Sequence, residues 1–133
     1  MEQLIGRWTA AYEGIAKTLR CLPEPISLPP LGGAADDLSG DPIGTAMDAA
    51  ARAAGELYGA EGDVSEIGQV LHGSIMFWLA AFDTLLHLRA LGTAYREEVA
   101  MVLMRQAMGQ ALTAHEMIHG REPMPPVPPP SLN

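Results

Sequence analysis

Cysteine, aromatic residues, basic residues and long apolar runs are all scarce in this chain, and each scarcity excludes something. A single cysteine in 133 residues, Cys21, allows no internal disulfide framework and no zinc site of the paired-cysteine kind, so a reducing compartment is expected. Aromatic residues make up only 5%, as two Trp, three Tyr and two Phe. A core drawn instead from Ala, Leu and Met uses the residues that favour helices, which excludes an all-β fold. Eight basic against 16 acidic side chains give a net charge of −8. Nucleic-acid binding rests on clustered Lys and Arg, so no nucleic-acid partner is expected. The longest apolar run, Ile75 to Phe82, has 8 residues, whereas a membrane-spanning helix needs about 20. That run reads as a buried helix segment, and no membrane partner is expected. The opening Met1-Glu2-Gln3 has no basic region before an apolar core, so no secretory signal is expected and the protein is placed in the cytoplasm, with the interior of a virion also compatible.

At 48% hydrophobic and 18% charged, 133 residues fit one soluble globular domain. The acidity is uneven, with 10 acidic and 4 basic residues in 1–63 against 6 and 4 in 64–133. No run of like charge is long enough to imitate nucleic acid. An acidic inhibitor that fills a basic cleft is therefore a third functional reading, resting on net charge alone.

Periodicity divides the chain into four helices, a strap and a tail, an all-α bundle. Leu4, Trp8, Ala11, Ile15 and Leu19 recur at helical spacing and predict a helix over 3–20. From 21 to 41, Pro23, Pro25, Pro29, Pro30 and the Gly32-Gly33 pair forbid regular helix, while Leu22, Ile26, Leu28 and Leu31 are too apolar for a free linker. A strap lying across the domain is expected. Asp41 as N-cap and Pro42 at the first helical position start a second helix, which runs to Tyr58 and stops at Gly59. The third helix runs from about Asp63 or Ser65 to Leu91, with Gly92 as its stop. On it Glu66, Gln69, His72, Met76, Ala80, Asp83 and His87 form one narrow stripe and apolar residues cover the rest, so most of its circumference is expected to be covered. Thr93 caps a fourth helix that ends at Gly120, and the tight connection predicts an antiparallel hairpin of the last two helices. Residues 1–120 thus form one helical domain. The tail, 121–133, holds six prolines between Pro123 and Pro130 and predicts an extended polyproline arm.

One motif carries specific chemistry. His115-Glu116-Met117-Ile118-His119 spells H-E-x-x-H on a predicted helix, where two histidines one turn apart can hold a single zinc ion and the glutamate can take a proton from metal-bound water. Over these five residues the segment resembles the zincin metallopeptidases. That resemblance implies His115 and His119 as metal ligands and Glu116 as the catalytic base. Zincins add a third ligand downstream and a sheet beside the helix; here Glu122 is the one downstream candidate and no strand is predicted. An antiparallel hairpin about Gly92 supplies another route, because it places His72 opposite residue 113 and Glu66 opposite His119. His115, His119, His72 and Glu66 are accordingly the candidate metal ligands of a bundle-core zinc site. The competing reading makes His115 and His119 the hydrogen-bonded edge of a helix interface, since they continue the face of Met101, Met104, Met108 and Leu112. That methionine stripe is itself expected to be core, with an adaptable partner surface as the alternative. His87 and Asp83 read as an intrahelical pair.

The leading expectation is a non-enzymatic helical assembly or adaptor component without a cofactor. It would form a homo-oligomer or dock on a larger protein complex, such as a phage, virion or secretion assembly, through the strap and the proline tail. A small zinc-binding bundle, hydrolytic through Glu116, is the alternative.

Overall fold

In a computed structural model, the chain is described over residues 2–31, 38, 40–59, 65–92 and 94–119. The proline tail, Thr93 and Gly120, and residues 32–37 of the strap lie outside the described residues. Four helices, α1 (Glu2–Arg20), α2 (Asp41–Tyr58), α3 (Ser65–Leu91) and α4 (Ala94–Ile118), account for the architecture, and no strand occurs among the described residues. The all-α fold and the C-terminal hairpin are as the periodicity predicts. α3 is the hub: it packs against the other three helices, α1 and α4 also pack on each other, and α2 touches α3 alone.

Helix boundaries follow local chemistry. α2 begins one residue earlier than expected, because Gly40, at φ 102°, takes the N-cap place assigned to Asp41, and no side chain caps the helix. Asp41 sits in the first turn, where a negative charge meets the positive end of the helix dipole. At the other end of the hub, Gly92 adopts φ 64° and its N–H donates to the Leu88 carbonyl at 2.6 Å. This left-handed stop satisfies a terminal carbonyl and lets the chain reverse into α4.

The scarce aromatic residues are concentrated at the α1–α3 crossing. Trp8 and Trp78 stack with ring centroids 4.5 Å apart and planes 9° from parallel. Each indole N–H donates to the other's backbone carbonyl, at 3.1 Å from Trp8 and 3.0 Å from Trp78. Phe82 packs beside Trp8 and Tyr12 beside Trp78. Both tryptophans are fully buried, so the reciprocal bonds satisfy the donors that burial would otherwise orphan.

The seam between α3 and α4 works by smallness. α4 buries Ala100, Met104, Ala107, Ala111 and Ala114, a stripe with little side-chain volume that lets neighbouring backbones approach. Two hydroxyls exploit the approach: Ser74 of α3 donates to the Ala107 carbonyl at 2.6 Å, and Thr18 of α1 reaches the Ala111 carbonyl at 3.4 Å. Among the described residues these are the two polar residues buried in the core, and no buried side-chain polar atom lacks a partner. The contact of Ser74 with Ala107 and the approach of Gly73 to Gln110 set the hairpin register within about one turn of that expected from a reversal at Gly92.

The described part of the strap lies on the domain as its apolar residues demand. Leu22, Leu31 and Leu38 are buried and Ile26 and Leu28 pack against the core. Ile26 N–H donates to the Leu19 carbonyl at 3.1 Å, and the Tyr12 hydroxyl donates to the Pro29 carbonyl. Burial pushes the Tyr12 phenol up from 10.0 to about 12, because the phenolate would lose its hydration. The described apolar residues of the strap thus pack on the core of their own domain.

Candidate functional site

The polar stripe predicted on α3 is its outward side: Glu66, Gln69, Met76, Ala80, Asp83 and His87 are exposed. By length and composition Glu66–Leu91 is the one helix among the described residues that could cross a membrane. Here it is the hub of the bundle and carries this polar stripe. His72 stands at the edge of the stripe, half-buried, with Nδ1 3.0 Å from the Ala54 carbonyl and its ring 5.1 Å from that of Tyr58. It faces α2. The heights expected from the hairpin were close, but Gly73 and Ser74 are the residues that face α4, and one residue back along a helix is a rotation of about 100°. His72 therefore does not join the H-E-x-x-H segment, and Glu66, exposed in the first turn of α3, is not among the ligand atoms that converge with its histidines. His87 Nδ1 lies 2.8 Å from the Asp83 backbone carbonyl on the same helix, so that pair is made through the main chain and not the carboxylate.

A different residue completes the cluster. α1 and α4 run parallel, as shown by Gly14 against Met108 and Thr18 against Ala111, so their C-terminal ends come together. There Cys21, His115 and His119 each offer one ligand atom, all within 4.8 Å of one another. The two Nε2 atoms of His115 and His119 are 3.1 Å apart and the rings 4.3 Å. Cys21 and His115 are half-buried and His119 is exposed, while Glu116 is exposed on the same last turn of α4 and stands outside the converging group. Compared with family models, curated proteins and solved structures, the chain matches none.

Two apolar surfaces accompany this cluster on α4. Between α1 and α4 an open groove of about 410 Å³ is lined by Ala10, Met101, Met104, Met108 and Leu112, with Arg7 and Arg105 beside them. The methionine stripe is thus divided: Met104 is buried, Met101 and Met108 are half-buried, and Leu112 is exposed. Away from that groove, Tyr95 of α4 is 59% exposed, Val99 43% and Val102 50%. The spacing of Tyr95, Val99 and Val102 keeps them on one side of α4, and sequence reading missed them because α4 is apolar on more than one face. A helix that packs on two neighbours needs one apolar face for them; this second stripe has no use inside the described fold.

Proposed function

We propose that this chain is a non-enzymatic, all-α assembly component that associates with a second copy of itself through the outer stripe of α4. The observation that carries the reading is the stripe Tyr95, Val99 and Val102, exposed apolar side chains on one side of α4. Their four- and three-residue spacing is that of a coiled-coil seam, in which Glu98 and Arg105 occupy equivalent flanking positions seven residues apart. Laid antiparallel across a two-fold axis, Val99 of one copy meets Val102 of the other and Glu98 meets Arg105, twice by symmetry. A second copy therefore supplies both the apolar and the charge complement. The site would work in an aqueous compartment such as the cytoplasm.

The three residues expose about 300 Å² per copy, at the low end for the largest apolar patch on a monomer, which is often functional. Two such patches fall short of the roughly 1,200 Å² of a stable complex, so association is expected to be weak and concentration-dependent. Sedimentation equilibrium over micromolar to sub-millimolar protein tests it. Val102→Glu is expected to give monomer with unchanged helicity, Glu98→Arg or Arg105→Glu alone to weaken the dimer, and the double exchange to restore it. A strict monomer at the highest concentration, or a double exchange no better than either single one, overturns the reading.

A further inference from the structure

We propose that Cys21 Sγ, His115 Nε2 and His119 Nε2 are three ligands of one zinc-type divalent cation, which ties the C-terminal end of α1 to that of α4. The imidazole pair belongs to one turn of α4; the third donor comes from a different helix, and only the parallel packing of α1 and α4 brings it there. A thiol and two imidazoles are the donor set of a borderline-soft ion, and the converging group contains none of the carboxylates that calcium or magnesium would require.

The geometry is close to what such an ion imposes. Tetrahedral zinc, with bonds of about 2.0–2.1 Å to nitrogen and 2.3 Å to sulfur, separates its nitrogen ligands by about 3.3 Å and sulfur from nitrogen by about 3.6 Å. The two Nε2 atoms are already 3.1 Å apart, and one ligand atom from each of the three residues lies within 4.8 Å of the others, so the donors need to close by only about 1 Å to reach these separations. A single proton shared between the imidazoles would account for the pair but not for the thiol placed beside both. Electrostatics favours a cation here as well, because α1 and α4 both point their C-terminal, partially negative ends at the cluster. Binding would convert the Cys21 thiol to a thiolate and release its proton to solvent, while the fourth position, on the exposed His119 side, would take water. This inference is independent of self-association and is read by a different signal.

Cobalt(II) is the probe, titrated into the full-length, untagged chain after reduction and removal of metal. The expected result is saturation at one ion per chain, with visible bands of tetrahedral intensity and a near-ultraviolet thiolate-to-cobalt charge-transfer band, both bleached by added zinc. Cys21→Ser is expected to remove the charge-transfer band, and His115→Ala and His119→Ala each to weaken binding at least about tenfold, whereas His72→Ala leaves it unchanged. Circular dichroism of the metal-free variants separates lost ligands from lost fold. No charge-transfer band in the parent chain, or an undiminished one in folded Cys21→Ser, overturns the proposal; so does binding unchanged in folded His115→Ala.

Discussion

Replacing either tryptophan by phenylalanine tests how α1 is held on the hub. Both indoles are fully buried, and each donates one hydrogen bond to the other's backbone carbonyl. Trp8→Phe removes one such bond, worth about 1 kcal/mol net. It also vacates roughly 40 Å³, which at about 24 cal/mol per Å³ of cavity adds roughly 1 kcal/mol. Helical carbonyls keep their main-chain partners, so no buried acceptor is left orphaned and no further penalty accrues. The expected loss is about 2 kcal/mol, or roughly 7 °C in Tm for a chain of this size. Trp78→Phe removes the mirror-image bond and the same volume, so its loss should match within about 0.5 kcal/mol. Urea unfolding followed by far-ultraviolet circular dichroism measures both, and each variant retains one tryptophan whose emission should be that of a buried indole. Losses below about 0.5 kcal/mol, or a difference between the two variants above about 1.5 kcal/mol, would refute the reciprocal arrangement.

Tyr12 makes the fold sensitive to alkali. Its phenol is raised from 10.0 to about 12 in the folded chain, so the folded state holds the proton more tightly than the unfolded one. The resulting stabilisation is complete below pH 10, is lost as pH rises from about 10 to about 12, and amounts to no more than about 3 kcal/mol. Tyr12→Phe should cost about 1 kcal/mol at neutral pH through the lost bond to Pro29 and flatten that alkaline limb; an unchanged limb in urea titrations across this range would show another group to be responsible. Gly92→Ala places a side chain at φ 64°, where space is open but the backbone is not favourable. It should cost about 1 kcal/mol, and a variant as stable as the parent in thermal unfolding would count against the left-handed stop.

How much of this was legible in the sequence depended on range. Local signals were sufficient for the helices: Gly59 and Gly92 stop α2 and α3 at the expected residues, and the polar stripe of α3 is outward as its period requires. The strap was legible because prolines barred helix while leucines demanded burial. What could not be read was direction across long separations. A reversal at Gly92 fixes α4 against α3, but the connections on either side of α2 leave α1 free to run either way along α4. Only the parallel choice puts Cys21 beside His115. The azimuth of His72 was equally hidden, since a helix packed on three neighbours has no single apolar face from which to judge where one residue points.

The alanine seam gives α4 its capacity to present two separate surfaces. Ala100, Ala107, Ala111 and Ala114 bind it closely to α3 and α1 while using little of its circumference, and Ser74 and Thr18 pin two of its carbonyls. A bulkier seam would hold the helices farther apart and bring Cys21 away from the histidines. With the seam as it is, the N-terminal half of α4 is left to carry the outward stripe at Tyr95, Val99 and Val102, and its last turn to bring His115 and His119 to Cys21. The two surfaces lie at opposite ends of one rigid helix, so loss of the stripe should leave cobalt binding intact and loss of Cys21 should leave self-association intact. Close packing by the smallest side chains thus frees the rest of α4 for contacts that the fold itself does not need.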